Sequence, residues 1–403
     1  MRKIDLLNFQ VATNETARQI NSRAMLNLVR KHQPISRADL MRYSGLQRST
    51  VSVITGQLIA DRWLKEGAMG YSPRGRKPIF LYLNSERCGV VGVDIQPDMT
   101  RFALANIDNR FLAQGSIPTE KNPGQLVARL GRRINNLIQA HPHNSYEGVG
   151  ISLPGRTDLS PRQLIFSPAL GWSGVEFRSL LERNLGLPVE LENAANACAL
   201  AELWSGRHLN SVHNLVAVVV SDEIGVGMIL NGRLVRGANG TAGEFGHVTL
   251  APDGPKCRCG NTGCWEVLAS NAAAVRYYSE SASACKDRSD PIGNVARMSF
   301  SDILRLADRN DFSACKALNR MAYFLGAGIA MLVTGLAPDV LVVVGEVTRA
   351  WTKVWPMVAE AVKSRAYSCA ATRIVAADPE SQLQLRGAIA VVLRKHFDSP
   401  VIG

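Results

Sequence analysis

The sequence predicts an α/β protein in which a small winged helix-turn-helix precedes two related halves set around a cleft. Three observations carry this. The first 85 residues hold 14 Lys and Arg against 5 Asp and Glu, in a chain whose net charge is +12. Within that basic segment two short helices meet at a tight turn. From Cys88 onward apolar strands alternate with helices, and one strand, strand, turn outline occurs twice. At 403 residues the chain exceeds one ordinary core, so two or three domains are expected.

The first helix runs from Thr16 to Lys31, with Ile20, Ala24, Met25, Leu28 and Val29 at helical spacing. Ser36, with Asp39 three residues on, is a capping-box-like start to a short helix through Ala38, Leu40 and Met41. Ser44-Gly45 ends it, because glycine permits the sharp turn. The next helix puts Val51, Ile54 and Leu58 on one face. Arg48, Ser49, Thr50, Ser52 and Thr55 lie on or near the other. "WLKEGAMGYSPRGRKPIFLYLN" then reads as strand, loop and strand, a wing with Arg74, Arg76 and Lys77 at its tip.

A helix bearing small polar and basic side chains fits the major groove, and a basic hairpin tip grips phosphates or enters the minor groove. The candidate DNA contacts are therefore Arg37, Gln47, Arg48, Ser49, Thr50, Ser52, Arg74, Arg76 and Lys77. A double-stranded DNA operator is the expected partner. The competing reading of the same basic face is a solvated protein-interaction module.

In the body, "GVVGVDIQPDMTRFALANIDNRFLAQGSIP" reads as three strands with a turn at Asp108-Asn109. "NLVAVVVSDEIGVGMILNGRLVRG" repeats the outline, with its turn at Asn231-Gly232. Each opens on a buried strand that ends near an aspartate, Asp94 or Asp222. The echo points to a duplicated domain. The most apolar stretch, Leu325 to Val344, is broken by Thr334, Pro338 and Asp339, which suits a buried helix and strand and not a membrane span. The N-terminus lacks the apolar run of a signal peptide, so a cytoplasmic location and no membrane partner are expected. The final helix, Leu383 to Phe397, carries Leu385, Ala388, Ile389 and Val392 toward the first half.

"GHVTLAPDGPKCRCGNTGCWE" gathers His247, Cys257, Cys259 and Cys264 within 18 residues. A Cys3His set is the usual closed tetrahedral complement for zinc, which is the expected cofactor. With four protein ligands no position is open to water, so the metal is expected to staple the loop and not to catalyse. Gly260 and Gly263 allow the tight turns this spacing needs. Cys88, Cys198, Cys285, Cys315 and Cys369 are read as small buried hydrophobes.

The chain also resembles the ROK family (repressors, open reading frames and sugar kinases), and in layout its sugar-operon repressors. The resemblance rests on "PISRADLMRYSGLQRSTVS", "RGRKPIFLYLN", "GISLPGRTD", "LENAANACALAE", "GANGTAGEFGHVTL", "CRCGNTGCWE" and "LAPDVLVVVGEV". It implies a winged helix-turn-helix over residues 1–85 joined to a two-lobed actin-like (ribonuclease H-like) sugar-kinase fold. Residues 86–194 with 381–403 would form the first lobe, and 195–380 the second, with the zinc-binding loop and an oligomerisation surface. A homodimer or homotetramer follows from the same resemblance. So does an effector site in which Glu244, His247 and Glu266 face a sugar, beside Asn193 and the "LPGR" loop.

The resemblance also marks departures. Where the family's kinases carry a catalytic aspartate after the asparagine of "LENAANA", this chain has Ala194, and a methyl group accepts no proton. The first phosphate loop reads "DIQPDMTR", crowded by Gln96, Pro97 and Asp98. The second places Asp222 and Glu223 before Gly225 and Gly227, and "VVVGEV" keeps only Gly345 of a glycine pair. Phosphoryl transfer depends on positioning and electrostatics, so no catalytic residue and no enzyme activity are expected. Ala169 replaces a further asparagine in "SPALGW", and each lost sugar contact costs about 1–3 kcal/mol if its partner stays buried. The expected function is a DNA-binding regulator, a repressor of sugar transport or catabolism genes, controlled by a carbohydrate-like effector. The alternatives are a sugar kinase with a DNA-binding domain, and an effector-independent regulator controlled by a protein partner.

Overall fold

The basic segment builds a three-helix module closed by a small sheet. In the computed structural model, which describes residues 14–69, 77–142, 145–157, 164–205, 212–284, 298–367 and 371–397, it comprises α1 (Asn14–His32), β1 (Ile35–Ser36), α2 (Arg37–Ser44), α3 (Arg48–Ala60), β2 (Leu64–Met69) and β3 (Ile79–Leu83). Asp39 N donates to Ser36 Oγ at 3.2 Å and Ser36 N to Asp39 Oδ2 at 3.3 Å, a complete capping box. Gly45 ends α2 at φ 70°, where its N–H donates to Met41 O. Leu40, Val51, Ile54 and Leu58 pack against Met25, Leu26 and Val29 of α1 and Leu81 and Leu83 of β3. The strands pair antiparallel in the order β1-β3-β2, the wing.

One assignment on α3 is corrected. Thr55 is fully buried: its Oγ1 donates to Val51 O at 2.8 Å and accepts from Arg37 Nε at 3.2 Å. It stands one residue from Ile54 and four from Val51, so helical geometry places it with the inward face. Arg74 and Arg76 lie outside the described residues, and Lys77 is exposed.

The body contains two five-stranded sheets of one plan. The first joins β4 (Gly89–Ile95), β5 (Met99–Ala105), β6 (Phe111–Pro118), β7 (Tyr146–Leu153) and β11 (Val189–Asn193), with α4 (Pro123–Ala140) and α5 (Phe177–Leu185) in its connections. Three short strands, β8 (Arg156–Thr157), β9 (Leu164–Ser167) and β10 (Trp172–Val175), form a separate sheet after β7. α6 (Ala194–Ser205) leads to β12 (Leu215–Val220), β13 (Ile224–Leu230) and β14 (Arg233–Leu234). Then follow α7 (Trp265–Ala269), α8 (Asn271–Ala284), α9 (Phe300–Asp308), α10 (Phe312–Leu336), β15 (Val340–Gly345), α11 (Trp351–Arg365), β16 (Arg373–Ala376) and α12 (Leu383–Phe397).

The sheet orders are β6-β5-β4-β7-β11 and β14-β13-β12-β15-β16. In each, three consecutive strands pair antiparallel and two later ones join parallel to the first. This is the duplication the sequence echo points to. Asn109 and Asn231 turn the matching hairpins at φ 59° and 51°, a region that asparagine tolerates.

α10 is long and apolar enough to cross a membrane by length and composition, with mean hydropathy 1.3, yet 67% of that window is buried within the chain. It forms the centre of the second lobe's core. Gly328 on it admits the Trp265 indole, where a Cβ would lie 1.9 Å from the ring. α12 packs back on the first sheet, with Gly150 against Ala388 O and Gly92 against Leu385 O. Cys88 and Cys198 are buried as expected, Cys315 is only half-buried, and Cys285 and Cys369 lie outside the described residues.

Candidate effector cleft and metal centre

The four candidate metal ligands sit on a loop with glycine at its sharpest corners, Gly260 at φ 97° and Gly263 at φ 61°. Thr249 bridges to Cys264 and Lys256 to Thr262. Cys257 N donates to Asn261 O at 2.7 Å and Gly260 N to Cys257 O at 3.0 Å, which folds "CRCG" into a tight knuckle. Gly263 has φ 61°, and a Cβ there would meet Ala251 O at 1.5 Å.

The knuckle brings the ligand atoms of His247, Cys257, Cys259 and Cys264 within 4.8 Å of one another. Cys257 Sγ lies 3.5 Å from His247 Nδ1, and Cys259 Sγ 3.7 Å from Cys264 Sγ. A tetrahedral ion bound by thiolate and imidazole has ligand–ligand edges of roughly 3.5–3.8 Å, so the cluster fits a metal. Burial pushes the Cys264 thiol up to about 12 and raises Cys257, whereas the Asn261 backbone N–H lowers exposed Cys259. Thiols bind a metal as thiolates, so occupancy of this cluster is coupled to pH. Nδ1 of His247 faces the sulfurs, and its Nε2 stands 3.9 Å from Glu244 Oε2, so one ring joins the metal site to a cleft carboxylate.

Against this loop lies a cavity of about 470 Å³. Its walls include all four residues expected to meet an effector: Asn193, Glu244, His247 and Glu266. Glu266, in the first turn of α7, is buried and accepts from Ile224 N at 3.2 Å. Burial raises its carboxyl, and Arg258 opposes that rise. Asn193 is committed to structure: its Nδ2 donates to Gly155 O at 2.7 Å and its Oδ1 accepts from Ala195 N at 2.8 Å. It shapes the wall and caps α6.

Two cleft residues escaped the sequence reading. Arg258, between two of the cysteines, lies 2.7 Å from Glu223 and 3.3 Å from Glu266, tying the metal loop to the β12–β13 turn. A cation inside the C-x-C pair, eight residues before Glu266, was the available signal. Asn196 donates to Glu192 at 3.0 Å, and Glu192 is ion-paired with Arg236.

A second cavity, about 510 Å³, shares Gly155, Asn193, Glu223 and Gly225 with the first. Asp94, Arg101, Ala194 and Glu346 also line it. Burial pushes the Asp94 carboxyl up to about 6, and Asp222 is raised by burial and by Asp98 and Glu346. The expected acidity is therefore present, but Glu223 is offset by Arg258. Gly227, read as a phosphate-loop remnant, has a packing role: a Cβ there would lie 2.1 Å from Ala195 O.

On the DNA module, Gln47, Arg48, Ser49 and Ser52 are exposed and Thr50 is half-buried. Arg37 instead bonds to Thr55 and to Glu66 at 2.8 Å, holding α2 to α3 and β2. Val53, 63% exposed on the polar face, was missed; its phase, two residues from buried Val51, was the signal.

The ROK family model matches residues 90–395. The xylose repressor of Bacillus subtilis (strain 168) is 30% identical over 361 residues, 89% of this chain and 90% of that protein. A solved ROK family transcriptional regulator, a homologue of the E. coli MLC protein, superposes with TM-score 0.81 at 24% identity, covering 95% of this chain and 98% of that one. A ROK family glucokinase from Streptomyces griseus, in complex with glucose and AMPPNP, superposes with TM-score 0.66 at 26% identity, covering 75% of this chain and 98% of its own.

Proposed function

Because the chain belongs to the ROK family, we propose that it is a DNA-binding transcriptional regulator, a repressor of sugar transport or catabolism genes, controlled by a carbohydrate-like effector in the cavity beside the metal loop. One observation carries this reading: an exposed polar recognition helix and a wing stand on the same chain as a cleft in which Ala194 occupies the position of a proton acceptor. The cleft is read as catalytically inactive, and the protein as acting in the cytoplasm on a double-stranded operator.

Arg48, Ser49, Ser52 and Gln47 at the start of α3 are assigned to base edges and phosphates, with Thr50 beside them, and Lys77 with Arg74 and Arg76 to the wing's phosphate contacts. Zinc is the metal assigned to His247, Cys257, Cys259 and Cys264, from their donor set. It would hold the loop that presents Glu244, His247 and Glu266, whose acceptors suit sugar hydroxyls. Closure of the two lobes on a ligand would alter the spacing of paired DNA modules in a homodimer or homotetramer, and spacing governs affinity for paired half-sites. The residues 86–194 with 381–403, and 195–380, are the two bodies that would move.

The test is retention of genomic DNA fragments by the full chain at moderate salt, followed by titration with monosaccharides. A specific fragment that one sugar releases or tightens is the expected result. Retention of no specific fragment would sink the regulator reading, and retention unaffected by any sugar would favour control by a protein partner.

A further inference from the structure

Two helices run side by side from the cleft to the DNA module, and both finish against the same arginine. α6 begins at its cap, Asn193, and Asn193, Ala194 and Ala195 line the second cavity. α12 begins at Leu383, which lines that cavity too. With 12 and 15 residues, the helices extend about 18 and 22 Å. Near their far ends stand Trp204 and Phe397, whose rings meet edge to face at 4.6 Å.

Arg30 of α1 engages both. Its guanidinium carbon lies 4.3 Å from the Trp204 ring centroid and 5.6 Å from that of Phe397, and Nη1 donates to Trp204 O at 3.1 Å. Nη2 donates to Asn27 Oδ1 at 3.2 Å, while Asn27 Nδ2 donates to Phe397 O. A planar guanidinium that must satisfy a ring face and a carbonyl together tolerates little displacement of either.

Between their ends the helices have no slack. A Cβ on Gly387 would lie 2.0 Å from Ala197 O, so the backbones of α12 and α6 touch. Ala197, Cys198, Ala199 and Ala201 are buried on α6, and Leu200 packs in one core with Ile389, Val392 and Leu393 of α12, so a shift of one helix is passed to the other. Close-packed elements of this kind move as one body.

We infer that the α6–α12 pair carries the state of the cleft to the DNA module, and that Arg30 is the positioning residue through which α1 reads it. This rests on the regulator reading, since it names the route of that regulation. The test needs neither DNA nor sugar. Amide hydrogen exchange is measured on the full chain as wild type, Asn193→Ala, Arg30→Met and the double variant. Removing the cap is expected to speed exchange roughly fivefold in the first turns of α6 and also over Leu26–Arg30 of α1. In the Arg30→Met background the same change should speed α6 alone.

Unchanged exchange over Leu26–Arg30 in Asn193→Ala, or an equal increment there in both backgrounds, would overturn the inference. Should Asn193→Ala not fold, Asn193→Gly, which loses the same two side-chain bonds at a smaller cost to the helix start, is read the same way. Failure here leaves operator retention untouched, and failure of operator retention leaves this mechanical coupling standing.

Discussion

Asp94 is the residue at which burial and charge conflict most openly. Its carboxylate is almost fully buried at the end of β4, held by Gln96 at 2.9 Å. An unfolded aspartate ionises near 3.8 and this one near 6, because burial outweighs the hydrogen bonds that favour the charged form. Between those values the folded chain binds the extra proton, so its stability falls as pH rises through that window and stays reduced above it. Asp94→Asn, which keeps the shape without the charge, is expected to raise thermal stability at pH 7 by roughly 1–3 kcal/mol and to leave it unchanged near pH 3; a melting series across pH checks this. At the Cys3His cluster, Cys257→Ser and Cys259→Ser each remove one of the four proposed ligands. Both variants are expected to lose bound metal by elemental analysis together with any sugar effect on DNA retention. A metal-free variant with a full sugar response would contradict the stapling role. The metal cluster was legible in the sequence because its ligands are close along the chain and chemically specific. Arg258 and Asn196 were harder to read: Arg258 pairs with Glu223 of the distant β12–β13 turn, and Asn196, although four residues from Glu192, meets it only across the β11–α6 junction.

At the scale of elements, local rules accounted for what local chemistry decides. The Ser36–Asp39 box, Gly45 and the inward stripe of α3 define the helix-turn-helix from spacing alone. The paired outlines after Gly89 and Leu215 likewise announce two sheets of one plan. The sequence did not show which helices touch, because α6 and α12 lie nearly two hundred residues apart and meet through backbone contacts that no periodicity records. Gly387 makes this measurable. A methyl there collides with Ala197 O, so Gly387→Ala is expected to destabilise the chain by about 1–3 kcal/mol, seen as a lower urea midpoint at unchanged slope. Gly335, also helical but exposed with nothing within 4 Å of its would-be Cβ, supplies the contrast. Gly335→Ala is expected to raise the midpoint by about 0.4–1 kcal/mol, since only the unfolded chain loses freedom. Equal effects at the two glycines would mean that the α6–α12 contact is not tight.

For the whole molecule, charge is divided between tasks. Of the net +12, +9 belongs to residues 1–85, leaving the remaining 318 residues nearly neutral and free to present an acidic cleft. The body keeps the two-sheet plan of sugar kinases, yet a phosphate entering the second cavity would approach Asp94 and Glu346, with Asp98 and Asp222 close by. Stabilisation of a transferring phosphoryl group needs donors and cations where charge collects; Arg101 and Arg349 line this cavity, but Asp94 and Glu346 stand on the same wall and oppose a phosphate. On the inactive-cleft reading, Ala194 is one departure among several, and its repair should not suffice. Ala194→Asp in the full chain would add a further carboxylate to the same wall. It is expected to transfer no phosphate from ATP to glucose above the unrepaired chain, measured by ADP release. Turnover in that single variant would mean that the loops still bind nucleotide productively and that the cleft lost only its base.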